Sequence, residues 1–81
     1  MKKIIESYIN SMSCSDIKNF LEKNHYQVND NDINTILFYI KNYWEQVLDG
    51  DTNIFNELKT KISESSYNIM IDLYNQYKNY L

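Results

Sequence analysis

Between Asn29 and Gly50 the stretch NDNDINTILFYIKNYWEQVLDG keeps helical spacing without a break. Ile33, Ile36, Leu37, Ile40, Tyr43, Trp44, Val47 and Leu48 recur at steps of three and four residues. At roughly 100° per residue they fall within an arc of about 140°. An arc of that width faces two neighbours rather than one. Asn29, with Asp32 three residues on, has the form of a helix start, and Asp30 adds negative charge to the first turn. Gly50, the only glycine, stands where a helix stops most easily in the left-handed conformation. A chain built on this stretch must wrap other helices around it.

The flanking segments supply them. Ile5, Tyr8, Ile9 and Met12, widened by Ile4, predict a first helix from Lys2 to about Ser11. Ser13 and Asp16 form a second start signal, for a short helix to about Lys23 that buries Cys14, Ile17, Phe20 and Leu21. Asn24 to Val28 lack helical period and read as an extended connector with Tyr26 and Val28 turned inward. Asp51, Thr52 and Asn53 offer three caps for a fourth helix over about Ile54 to Ile62. Ser63 opens a fifth that runs toward the C-terminus, with Tyr67, Met70, Ile71, Tyr74, Tyr77 and Leu81 as its main stripe, flanked by Ile69, Leu73 and Tyr80. The expected fold is all-α: a compact single domain, residues 1–81, of about five helices around a long central one.

At 81 residues the core must be small, and Cys14, the only cysteine, excludes an internal disulfide. Ile, Asn, Lys and Tyr make up nearly half the chain, and Ala, Pro and Arg are absent. Such residues have AT-rich codons, so the many Tyr and Asn reflect an AT-rich genome in part, which weakens a functional reading of either. Residues 30–57 carry one Lys and six acids, net −5, while both flanks are slightly positive. The first residues, interrupted by Glu6, Ser7 and Asn10, do not form a secretory signal, and no run reaches the ~20 apolar residues of a membrane span. A cytoplasmic protein with no membrane partner is the expectation.

Chemistry is sparse. One His and one Cys do not make a zinc set. The two runs resembling the opening of a calcium loop, from Asp30 and from Asp49, lack the Gly and Glu that such a loop requires at its sixth and twelfth positions. One glycine cannot form a phosphate-binding loop, and His25 alone, in a connector, does not define a catalytic group. No metal, cofactor or enzymatic activity is expected. Nor is nucleic acid: the central helix carries Asp30, Asp32, Glu45 and Asp49 against Lys41 alone, and the chain has no Arg to read guanine.

What survives is binding to a protein partner or to another copy of the chain. Phe38 lies outside the apolar arc of the central helix and Tyr39 near its edge, while Asp49 and Asp51 concentrate charge at its end. These four residues are the candidate partner surface. The leading expectation is a small interaction or regulatory module; the alternative is an acidic inhibitor or immunity-type protein that occupies a basic site on an enzyme.

The run Ser13-Cys14-Ser15-Asp16-Ile17 at a helix start, Val28 before a capped helix, Thr52-Asn53-Ile54-Phe55, and Ile62-Ser63 before a last helix resemble the YqfT-like family of uncharacterised small proteins from low-GC Gram-positive bacteria. The likeness spans roughly residues 13–80. The family pattern carries Arg around the third and fourth helices, and this chain has none. The resemblance implies a helical fold and a bacterial cytoplasmic setting, and supplies no activity or site residues.

Overall fold

The computed structural model describes residues 2–80, with backbone only at Tyr80. Helices α1 (Lys2–Ser11), α2 (Cys14–Lys23), α3 (Asp30–Leu48), α4 (Ile54–Leu58) and α5 (Glu64–Tyr77) follow one another, and α5 ends in a 3₁₀ turn, Lys78–Tyr80. No strand occurs among the described residues. The all-α expectation holds.

Local chemistry explains where the helices begin. The Ser13 Oγ accepts the Asp16 N–H at 3.2 Å while the Asp16 carboxylate accepts the Ser13 N–H at 2.8 Å, a complete capping box. Asn29 Oδ1 accepts the Asp32 N–H at 2.8 Å, and Ser63 Oγ accepts the Ser66 N–H at 3.1 Å. These side chains satisfy donors that a helix start leaves free. The turn before α4 differs from expectation: Asn53 makes no side-chain cap, and Asp51 Oδ1 instead accepts the Asn53 N–H at 3.0 Å. That bond is a local Asx-type turn.

Two helices stop in the same way. After α3, Gly50 takes φ 97°, its N–H reaches the Val47 carbonyl, and the Asp51 N–H reaches back to Gln46. After α2, His25 takes φ 64°, its N–H reaches Glu22, and the Tyr26 N–H reaches Leu21. Both are Schellman motifs, and the second places a histidine where glycine is the relaxed choice. His25 is thus exposed and engaged in ending a helix.

The buried cluster is Ile17 and Leu21 of α2, Ile33 and Ile36 of α3, and Leu73 of α5. Around it pack Cys14, Tyr26, Val28, Ile62 and Met70, among others. Cys14 is half-buried and its thiol donates to Asn34 Oδ1 at 2.8 Å.

Four expectations need correction. The fourth helix ends at Leu58, not Ile62, because the N–H groups of Thr60 and Lys61 turn to carbonyls three residues back and free Ser63 for the extended cap conformation. On α5 the buried apolar residue is Leu73, placed beforehand on the flank, whereas Tyr77 is 44% exposed. Leu81 lies outside the described residues. On α1 and α2, Ile4, Tyr8 and Phe20 are exposed while Ile9, Ile17 and Leu21 carry the burial. Lastly, Asp32, read as a first-turn cap charge, is buried at 8% exposure. Its Oδ2 joins the starts of α3 and α5 across 31 to 34 residues of chain.

Candidate functional site: an apolar groove over α3

The apolar arc of α3 is one face in sequence and two environments in space. Ile33 and Ile36, in its first half, are 2% and 1% exposed. Farther along, Ile40, Tyr43, Trp44, Val47 and Leu48 are only half-buried. They floor a groove that residues of α1, α2, α4 and α5 also line. Its volume is about 530 Å³, within the range of ligand-binding clefts, and Asp16 is the only lining residue that carries a charge.

Aromatic side chains shape the groove. Tyr39 stacks on Tyr43 with ring centres 5.5 Å apart, and Phe55 meets Tyr74 edge-on at 5.0 Å. Such pairs hold rings in fixed orientations. At the α2–α5 end, Phe20 meets Tyr77 edge-on at 6.3 Å. Tyr8, 68% exposed, stands on the α1 side, and Trp44, the only tryptophan, is in the lining.

Polar contacts at the surface tie α1 to α3. Lys2 Nζ pairs with Asp49 Oδ1 at 3.1 Å, and Lys41 Nζ donates to the Asn10 carbonyl at 3.3 Å. Both are exposed, so each contributes little to stability. The start of α5 is held to α3 more firmly. There Asp32 Oδ2 accepts from Ser66 Oγ at 2.6 Å, Ser63 Oγ and Asn29 Nδ2 at 2.9 Å, and the Ser63 N–H at 3.2 Å. Burial pushes the Asp32 carboxyl up, but these donors outweigh it and hold it below its ordinary value. Ser66 itself is 2% exposed, and no buried side-chain polar atom among the described residues lacks a partner.

The four candidate residues separate on the structure. Tyr39 lines the groove; partial burial and then the Glu57 carboxylate beside it raise its hydroxyl above the ordinary tyrosine value. Phe38 points elsewhere, 57% exposed, edge-on to Tyr39 at 5.6 Å. Asp49 is engaged by Lys2 and Asp51 by the Asn53 N–H. Sequence reasoning named only Tyr39 of the groove; its remaining signal was the width of the α3 arc. Tyr8, Phe20 and Trp44 were assigned there to the apolar interior.

Among the described residues no three His, Cys, Asp or Glu side chains gather into a metal-holding set, and no helix is long and apolar enough to cross a membrane. No family model, curated protein or solved structure matches the chain.

Proposed function

We propose that the protein is a small interaction or regulatory module that acts by binding a protein partner in the groove over α3, and not by catalysis. The observation that carries this reading is the groove itself: about 530 Å³ of apolar space, open to solvent, in a chain of 81 residues. Total accessible surface supports it. The chain exposes 5807 Å², whereas a folded monomer of its mass should expose about 5200 Å². The surplus approaches the ~800 Å² that one partner contributes to a standard interface. A bacterial cytoplasmic setting belongs to the same proposal. The acidic stretch 30–57 favours a second version, in which the partner is an enzyme with a basic site and this chain is its inhibitor.

Photo-crosslinking tests the reading. A benzophenone amino acid is placed at Tyr8, on the groove lip, or at Phe38, exposed but outside the groove, and illuminated in the native cells. One discrete adduct from Tyr8 and none from Phe38 supports the groove. An adduct from Phe38 alone moves the partner surface to the outer aromatic flank, and adducts from neither position remove the module reading.

A further inference from the structure

Exposed rings and the groove they border share one face of the protein. Tyr8 and Phe20, 68% and 43% exposed, both line the groove and keep much of their surface in solvent. Ile4, also exposed, stands one helical turn before Tyr8 on α1, and Phe20 continues edge-on to the exposed ring of Tyr77. The three rings leave roughly half their surface bare, about 300 Å² at 150–250 Å² per ring. Charge is nearly absent from the lining: Asp16 alone carries one, and its carboxylate already accepts the Ser13 N–H. Such depletion marks permanent, homodimer-type interfaces, whereas a surface bound only transiently is about as polar as the rest of a protein. The interior also needs the cover. Seven apolar side chains are buried among the described residues, and the one cysteine cannot form an internal disulfide. At this length, association is a common supplement to so small a core.

We infer that the occupant of the groove is a second copy of the chain, two molecules closing face to face about a twofold axis so that Tyr8 and Phe20 of each enter the groove of the other. This names the partner in the interaction-module reading and rests on it. A twofold contact requires one patch that complements itself, and a groove bordered by its own exposed rings is such a patch. Area agrees. Each copy exposes about 600 Å² more than its mass predicts, and covering that on both buries about 1,200 Å², the lower bound of a stable interface. The floor residues Ile40, Tyr43, Trp44, Val47 and Leu48 carry no charge, so closure over them leaves none buried and unpaired.

Trp44 supplies the readout, because the only indole of the chain lies in the groove. Sedimentation equilibrium of the full chain at micromolar concentration is expected to give twice the monomer mass. Dilution through the transition is expected to red-shift Trp44 emission as the indole meets water, and Tm is expected to rise with chain concentration. Tyr8→Glu and Phe20→Glu, at exposed positions, are each expected to weaken the dimer about tenfold or more with helix content by circular dichroism unchanged. Phe38→Glu, outside the groove, is expected to leave the dimer intact. The emission shift on dilution needs no variant, so it decides the case in which one fails to fold. A monomer at every concentration overturns the second copy and leaves the module reading to the Tyr8 crosslink. A dimer that Phe38→Glu breaks and the Tyr8 and Phe20 variants do not, or one whose Trp44 emission stays constant on dissociation, puts the contact on another face and overturns the proposal. So does saturable binding of laurate to a chain that remains monomeric.

Discussion

Replacing Asp32 by Asn tests whether a single carboxylate fastens α5 to the start of α3. Four donors converge on Oδ2: Ser66 Oγ, Ser63 Oγ, Asn29 Nδ2 and the Ser63 N–H. An amide oxygen occupies the same place but is neutral, so all four donors lose charge assistance. Hydrogen bonds to charged groups contribute roughly 1.5–3 kcal/mol and neutral ones roughly 0.5–1.5. Removing a buried charge returns part of that loss. The expected net destabilisation is about 3 kcal/mol, a large share of the roughly 4–12 kcal/mol available to a chain of this length. Urea unfolding followed by circular dichroism at neutral pH measures it. The pH dependence follows from the lowered carboxyl. The stabilisation is fully present above the ordinary value of 3.8 and is lost as pH falls through the lower folded-state value. Wild type and Asp32→Asn should therefore converge as pH falls below the folded-state value of Asp32. A difference under about 0.5 kcal/mol at neutral pH, or one that persists undiminished in acid, refutes the clamp.

Three further outcomes are expected. Gly50→Ala forces a side chain into φ 97° where its Cβ meets nothing, so the cost is backbone strain alone, about 1 kcal/mol or a fall in Tm of roughly 4–8 °C by calorimetry. His25→Gly relaxes φ 64° and offsets some added freedom of the unfolded chain, raising stability by about 0.5 kcal/mol in the same measurement; a loss of stability removes the strain argument. Ile36→Ala, at the most buried side chain, should cost about 2–5 kcal/mol in urea unfolding, whereas Phe38→Ser, at 57% exposure, should cost under about 1 kcal/mol.

Much of this fold was readable from local signals. Ser13 with Asp16, Asn29 with Asp32, and Gly50 each act within a few residues of chain, and the structure uses all of them to begin or end a helix. What was not readable depends on distant residues. Asp32 serves its own helix start and also the Ser63–Ser66 turn, and no spacing rule links residues 31 and 34 positions apart. His25 ends α2 in a conformation that sequence patterns reserve for Gly or Asn. The fourth helix stopped early because Ser63 needed an extended backbone for its own cap, a conflict between neighbouring signals. The groove was half visible: the breadth of the α3 arc foretold two neighbours, but periodicity cannot tell a face that is covered from one left open. Only packing shows that Ile36 is enclosed with Leu73 of α5 while Trp44 and Val47 stay half-buried.

The Asp32 clamp has a kinetic consequence. Most helix contacts join segments adjacent in the chain, but Asp32 meets Ser63 and Ser66 only after a long intervening segment has been closed into a loop. Closure entropy has to be met before those hydrogen bonds return anything. The helix pairs of the first half can thus assemble ahead of this junction, with the clamp forming on the native side of the folding barrier. On that ordering Ser66→Ala accelerates unfolding and leaves the refolding rate nearly unchanged in a chevron analysis, so that Asp32 governs how long the fold lasts more than how fast it forms.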